Sequence, residues 1–305
     1  MNRLKTFVRK DGFFQSIVNI VLFLFLIIEL YPILYVISCS FSDPDMVATG
    51  QIILLPKGFT LGGYEKILEY KDIWIGYANT IFYTVLGTLL SLAITLPCAY
   101  ALSRKNLRGK SIILVYFMIT MYIGGGLVPS YLNNRDFGLV NNRIGILIIG
   151  ALSIYNVLVA RSFFANTIPY ELTEAAKIDG ADDFLVFAKI IMPLSKAITV
   201  VMIIYYGVGR WNSYFTEMIY LEDREKYPLQ IFLREILLQA KFTVEASAGG
   251  AYYSPEDMVL LQELAKKAEL LKYCVIIVST LPMMFIYPKL QKYFEKGVML
   301  GSVKG

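Results

Sequence analysis

Residues Glu171 to Pro193 read ELTEAAKIDGADDFLVFAKIIMP. This is a polar-tinged helical segment set between two strongly apolar ones, with Gly180 and Pro193 as its punctuation. Its neighbours have the composition of helices in lipid; this segment has that of a helix pair in water with a surface to offer. Pro169 stands at a helix start, and Glu171 and Glu174 fall in the first turns, where acidic groups suit the helix dipole. Ala175 and Ala176 are small enough to let the helix sink into a groove on a partner, and Asp179 leads into Gly180, which can end the helix at positive φ. A second helix is expected over Asp182–Ile191, breaking near Pro193 at a membrane surface. Glu174 is then placed to pair with a basic group on a partner. On chemistry alone, a plain interfacial loop of this composition explains the residues equally well.

The rest of the chain belongs in a membrane. Of its 305 residues 56% are hydrophobic and 17% charged, and the mean hydropathy is +0.56. A soluble chain carries roughly 25% charged residues. Apolar surface in this excess has to face lipid, so the class is an all-α polytopic membrane protein. The net charge of +5 is small and is informative by position, not as a sign of nucleic-acid binding. The chain has no histidine, which removes His-based triads, general bases and metal sites. Cys39, Cys98 and Cys274 lie in or at the ends of apolar runs without CxxC spacing, and read as small buried hydrophobes.

Six segments are apolar for long enough to cross a bilayer, approximately Ser16–Ser38, Tyr77–Leu102, Ser111–Leu132, Ile144–Phe164, Ser195–Tyr220 and Leu270–Tyr287. Glycine and proline inside them are ordinary in a membrane bundle, where neighbours satisfy the backbone groups set free. Arg3, Lys5, Arg9 and Lys10 precede the first run, which is too long for a signal-peptide core and reads as an uncleaved first span. Basic residues set the orientation. Arg104, Lys105, Arg108 and Lys110 follow the second segment, and Lys289, Lys292, Lys296 and Lys304 follow the sixth. Asn133 to Arg143 carries only Arg135 and Arg143. Both termini are therefore expected in the cytoplasm, together with the loop at about 168–193. The expected organisation is one permease-like membrane domain over 1–305 with an external excursion at about 221–270. Within that excursion Thr243–Tyr253, rich in Gly, Ala and Tyr, reads as a mobile loop, and Pro255–Lys272 has amphipathic helical spacing.

Glu174-Ala175-Ala176, three residues, Gly180, nine residues and Ile190-x-Met192-Pro193 resemble the cytoplasmic loop signature of bacterial ATP-binding-cassette (ABC) importer permeases. The departure is Met192 where leucine is usual, a swap that keeps volume and apolarity. The likeness covers nearly the whole chain and is to the carbohydrate-uptake, maltose-type branch. Phe41-Ser42, Asn79-Thr80, Gly125-Gly126-Leu127 with Pro129, Arg161-Ser162-Phe163-Phe164, Trp211-Asn212 and Gly301-Ser302-Val303-Lys304-Gly305 also match. Gly125 to Pro129 and Lys296-Gly297-Val298-Met299 are similar to the sub-branch that imports complex oligosaccharides.

The resemblance implies a type I ABC importer permease fold of six transmembrane helices, in a bacterial cytoplasmic membrane. It implies that Glu171, Glu174, Ala175, Ala176, Asp179, Gly180, Ile190 and Pro193 form a coupling element seated in a cleft of an ATPase dimer. It implies a second permease subunit, generally a different chain, and an extracytoplasmic solute-binding protein. The tail Gly301, Ser302, Val303, Lys304 and Gly305 corresponds to one that enters the ATPase dimer interface. ATP and Mg are expected on that ATPase: this chain has no G-x-x-x-x-G-K-[ST], so it is not expected to be an enzyme or to carry a cofactor or metal.

A carbohydrate path needs rings to stack on and groups that hydrogen-bond hydroxyls. Tyr122, Tyr155, Asn156, Tyr205, Tyr206, Trp211 and Asn212 are the candidates, with Tyr214 beside them. Tyrosine and tryptophan also decorate membrane interfaces, and asparagine also bonds neighbouring helices. Glu29 is a carboxylate deep in an apolar run, either a relay or a group paired with a neighbour. Arg210 is similarly placed, to steady a gate or a partner helix. The competing function is an ion-gradient-driven secondary transporter, which calls for several membrane carboxylates or broken helix pairs. A membrane enzyme is a third class, weakened by the absence of any nucleophile or metal constellation.

Overall fold

The computed structural model describes the backbone of residues 2–248 and 255–302. It describes side-chain surroundings for all of these except 2–11, 13, 244, 247, 248, 255, 256, 287 and 289–302. The chain is helical, with no strand among the described residues. It divides into two compact units: Met1–Tyr70 with Leu233–Thr280, and Lys71–Phe232 with Leu281–Gly305.

The first unit contains helices α1 (Asn2–Ser40), α2 (Pro44–Ala48) and α3 (Gly62–Glu69). It also takes most of α14 (Leu229–Ala248) and the front of α15 (Pro255–Ser302). Ser38, Cys39, Ser40 and Ser42 are buried, and Ser42 Oγ donates to the Ser38 carbonyl at 2.6 Å and accepts from the Lys57 amide at 3.0 Å. Phe41 stacks on Phe59 with ring centroids 5.7 Å apart. The Phe41-Ser42 pair thus fastens the loop that follows α1. Gly63 permits a close approach, since a Cβ there would stand 2.6 Å from Cys274 Sγ. Cys39 and Cys274 are buried and Cys98 is half-buried; all three are free, as their reading as small apolar groups requires.

The second unit is built on α4 (Lys71–Ser103). Helices α7 (Arg143–Ile148), α8 (Ile154–Thr167) and α12 (Lys196–Trp211) pack along it. Asn79 and Thr80 explain their place in the pattern noted above. Asn79 Nδ2 donates to the carbonyls of Glu225 (2.8 Å) and Tyr227 (2.9 Å), and Thr80 Oγ1 accepts from the Leu229 amide at 2.8 Å. A loop too irregular to satisfy its own backbone is satisfied by one helix. Asn79→Ala removes two buried bonds and is expected to lower stability by about 2 kcal/mol, read as a fall in the unfolding temperature of the purified protein.

Three helices are long and apolar enough to cross a membrane: Phe14–Ser40, Lys71–Ser103 and Asp257–Ile286. The other expected spans are interrupted. The third becomes α5 (Lys110–Tyr122) and α6 (Leu127–Asp136), bent by 116°. Its Gly124-Gly125-Gly126 run cannot hold a helix, and Gly126 sits at φ +82°. The fourth becomes α7 and α8, separated around Gly150 at φ +75°, with Ser153 Oγ accepting from the Asn156 amide at 3.4 Å to start α8. The fifth ends at Trp211, and α13 (Phe215–Tyr220) stands apart. The sixth is one stretch of the 48-residue α15. The expected mobile loop at Thr243–Tyr253 is corrected in part: Thr243 to Ala248 complete α14, with Thr243 Oγ1 bonding back to the Gln239 carbonyl at 2.8 Å. Residues 249–254 lie outside the described residues.

Glu29 is exposed on α1 and makes no ion pair among the described residues, so the neighbour expected for it is not found.

Candidate functional site

The segment from Pro169 to Leu194 forms a bent helical hairpin. Pro169 precedes α9 (Tyr170–Ile178) with Glu171 in its first turn. The C-terminus is closed by two bonds: the Gly180 amide donates to the Lys177 carbonyl at 3.1 Å, and the Ala181 amide to the Ala176 carbonyl at 2.9 Å. This is a Schellman closure, which needs a left-handed residue, and Gly180 takes φ +83°. Asp182 then caps α10 (Asp183–Val186), its Oδ1 accepting from the Leu185 amide at 2.6 Å. Lys177 and Asp183 pair across the turn at 2.8 Å, which holds the Lys177 ammonium above the usual lysine range. The second arm continues through a π-helical turn, Phe187–Ile191, and α11 (Met192–Leu194), and breaks near Pro193 as expected. It turns at Ser195 into α12, at 83°.

Helix α9 is two-faced, and the 3.6-residue period decides which side chain goes where. Tyr170, Thr173 and Ala176 face the bundle. Arg104 Nη1 donates to Thr173 Oγ1 at 2.8 Å, and the Arg104 guanidinium lies over the Tyr170 ring at 4.7 Å. Asn106 Nδ2 donates to Tyr170 Oη at 2.8 Å. Ala176 joins a buried cluster with Val186, Ile191, Tyr100 and Phe164, and Ile190 packs against that cluster. Glu171, Glu174, Ala175, Asp179, Gly180 and Pro193 are exposed. So are two large apolar residues, Ile178 at 86% and Phe184 at 79%. The paired alanines therefore part: Ala175 belongs to the outer face and Ala176 to the anchor. Arg104, Tyr170 and Thr173 were missed in the sequence, because an anchor formed with a loop some 65 residues away leaves no local pattern. Ile178 and Phe184 were legible as apolar residues in a polar segment.

A second site lies in the same unit. A cleft of about 310 Å³ is lined by Ser153, Asn156, Tyr205, Tyr206, Arg210, Ser213, Thr216 and Glu217, with Ile149, Gly150 and Gly209. Three of the candidates for the path, Asn156, Tyr205 and Tyr206, come together here. Tyr122 (79% exposed) and Tyr155 lie on the surface outside the cleft, Asn212 caps α12 and is exposed, and Trp211 lines a separate apolar groove with Ile81 and Met283. Tyr206 Oη shares a 2.7 Å hydrogen bond with Thr95 Oγ1 and accepts from the Ser153 amide at 3.2 Å.

Arg210 finds its role in this wall. Its Nη1 and Nη2 donate to the Ile146 (2.7 Å) and Leu147 (3.0 Å) carbonyls at the C-terminal end of α7. A cation suits the negative end of that helix. Gly87 makes the room, since a Cβ there would stand 3.0 Å from Arg210 Nε. Glu217, which lies inside the expected fifth apolar span and was not singled out in the sequence, is 2% exposed and accepts from Ser213 Oγ at 2.7 Å. Among the described residues no cluster of His, Cys, Asp and Glu could hold a metal ion. Gly301 and Ser302 end α15, while Val303, Lys304 and Gly305 lie outside the described residues.

Comparison with known proteins fits this architecture. The chain is 33% identical over 297 residues to the polygalacturonan/rhamnogalacturonan transport system permease protein YtcP of Bacillus subtilis (strain 168), covering 97% of this chain and 100% of that one. It is 33% identical to Protein LplC of the same organism, over 91% of this chain and 90% of that one. Among solved structures it resembles a bacterial ABC transporter involved in the import of the acidic polysaccharide alginate, with a TM-score of 0.81 and 35% identity over 94% of this chain and 98% of that chain. The kinship is thus to ABC permeases and not to ion-gradient-driven transporters. Residues 73–299 match the family described as binding-protein-dependent transport system inner membrane component, and the chain belongs to that family.

Proposed function

We propose that this subunit imports oligosaccharides across the bacterial cytoplasmic membrane by alternating access, driven by a separate ATPase. The outer face of α9 and its turn carry the reading. Glu171, Glu174, Ala175, Asp179 and Gly180, framed by exposed Ile178 and Phe184, form a surface with acidic and apolar groups and no cover from the described chain. Exposed apolar side chains beside a polar rim fit a protein partner, here a cleft of the ATPase dimer. Ile190 and Pro193 mark where the hairpin turns back towards the bundle. ATP and Mg are bound by that ATPase, and the tail Gly301 to Gly305 reaches its dimer interface.

In this reading the six crossings are α1, α4, α5 with α6, α7 with α8, α12 and α15, with both termini and the loop at 168–193 in the cytoplasm. The chain is one permease domain, with 221–270 on the outer side. A second, different permease subunit completes the path, and a solute-binding protein delivers cargo from outside. The 310 Å³ cleft with Asn156, Tyr205 and Tyr206 lines that path; Tyr122, Tyr155, Trp211 and Asn212 serve it where the partner permease completes the wall. The oligosaccharide cargo rests on the named cargoes of the relatives.

Affinity purification of the intact tagged chain tests the assembly. It should recover an ATPase and a second permease. Phe184→Asp or Ile178→Asp should cut ATPase recovery at least about tenfold, the effect of losing one well-packed interface anchor, with membrane insertion retained. Recovery of neither partner by the unaltered chain would defeat the reading.

A further inference from the structure

The cleft beside α12 holds two polar groups that the fold leaves unsatisfied. Only Glu217 Oε2 receives a hydrogen bond, from Ser213 Oγ; its other carboxyl oxygen has no donor among the described residues. Asn156 is 7% exposed, and its side-chain amide makes no hydrogen bond among the described residues. The fully enclosed side-chain atoms left unpaired among the described residues are Thr84 Oγ1, Thr88 Oγ1, Ser91 Oγ and Tyr100 Oη. The free atoms of Asn156 and Glu217 differ from these in lying on residues that line one cleft, where a ligand can pair them.

Arg210, the cation of the wall, turns its Nη1 and Nη2 to the carbonyls of α7. What remains for a ligand is a carboxyl oxygen, an amide and the hydroxyls of Ser153 and Thr216, beside the exposed ring of Tyr205. A neutral sugar ring is the complement of this set. Its hydroxyls donate to the carboxyl oxygen, both donate to and accept from the amide, and its apolar face stacks on a tyrosine. A uronate carboxylate is the opposite: it offers no donor to Glu217 and brings a like charge against it, while the Arg210 cation of the same wall has Nη1 and Nη2 engaged by the α7 carbonyls.

We propose that this cleft is a subsite for an uncharged, hydroxyl-rich sugar unit, and that Glu217 sets specificity by accepting from its hydroxyls and disfavouring a carboxylate. The assignment rests on the oligosaccharide-import reading and narrows it. It also separates this chain's cleft from what the acidic polysaccharides in the relatives' names suggest.

Equilibrium binding of galactotriose and of trigalacturonate to the purified complex of this chain, its partner permease and its ATPase tests the assignment. Leaving out the solute-binding protein keeps that protein's own selectivity out of the result. Galactotriose should bind at least about tenfold tighter than trigalacturonate, the value of one hydrogen bond to a charged group. Glu217→Gln should close that gap about tenfold and Glu217→Asp should keep it, while Asn156→Ala should weaken both ligands. Each gap is internal to one preparation, so a poorly assembling variant still reports it. Equal or tighter trigalacturonate binding, a gap that Glu217→Gln leaves in place, or no binding of either probe overturns the subsite. ATP-driven uptake by the same complex with its binding protein is read separately: uptake without cleft binding defeats only the subsite, and absence of any oligosaccharide uptake defeats the import reading beneath it.

Discussion

Gly180→Pro should abolish ATP-driven uptake in reconstituted vesicles while the subunit still inserts in the membrane. Gly180 sits at φ +83° and its amide donates to the Lys177 carbonyl at 3.1 Å. Proline is locked near −65° and has no amide hydrogen, so it forbids the turn and removes one of its two closing bonds. The hairpin's two arms then lose their relative direction. Gly180→Ala is the graded control. A Cβ there meets nothing within 4 Å, so its only cost is the left-handed backbone, about 1–2 kcal/mol. It should slow uptake without ending it. Glu174→Ala probes the same face chemically. Glu174 is exposed and makes no hydrogen bond or ion pair among the described residues, so its removal disturbs nothing within the chain. A loss of at least about 30-fold in uptake is expected if it meets a basic partner residue in a buried interface, where truncating one charge costs about 2 kcal/mol or more. Normal uptake in both Gly180→Pro and Glu174→Ala would refute the coupling role.

Arg210→Ala should destabilise the protein by about 3 kcal/mol, the value of two charge-assisted hydrogen bonds at the lower end of their range. It orphans the carbonyls of Ile146 and Leu147 and removes the strut from α12 to α7. Arg210→Lys should recover part of the loss, because an ammonium keeps the charge but cannot span two acceptors with a planar fork. Gly87→Ala supplies the cross-check. Its new Cβ would press on Nε at 3.0 Å and on Cδ and Cζ at 3.3 Å. In the wild-type background this pushes the guanidinium off its acceptors; with Arg210 already alanine the pressure is gone. The two substitutions should therefore be less than additive by about 1 kcal/mol in a double-mutant cycle read by thermal unfolding. Strict additivity, or a wild-type unfolding temperature in Arg210→Ala, would show that the carbonyls are satisfied without the arginine.

What could be read in the sequence depended on how local the cause was. The all-helical membrane class followed from long apolar runs, because lipid leaves the backbone few alternatives. The turn at Gly180 was legible because a left-handed glycine and a capping aspartate are both local devices. The break between Ile148 and Ile154 was not, because hydropathy counts side chains and ignores backbone. Ile144 to Phe164 is continuous by the first measure and interrupted by the second. The cleft was half legible. Asn156, Tyr205 and Tyr206 were chosen for their chemistry, yet Trp211 and Asn212 come from the same stretch and face elsewhere. Glu217 was missed because its burial depends on α13 lying against α7, a contact between residues some 70 positions apart. The clamp of Arg104 on Tyr170 and Thr173 went unseen for the same reason.

The bareness of α1 bears on the order in which the protein is made. From residue 14 to 34 no side chain of α1 is buried by the described chain; the half-buried Tyr35, edge-on to Tyr273 at 5.9 Å, begins the covered end that Ser38 to Ser40 complete. A helix whose apolar length needs nothing from later sequence can partition into the bilayer while the remainder is still untranslated. The contrast is α4, whose Thr80 hydroxyl and Asn79 amide serve backbone groups at positions 225 to 229. That helix must wait about 150 residues, some 10–30 s at ordinary translation rates, before its own interior is complete. A nascent chain arrested just past Ser40 should thus already be an integral membrane polypeptide, whereas one arrested past Ser103 should still be open to digestion by a membrane protease.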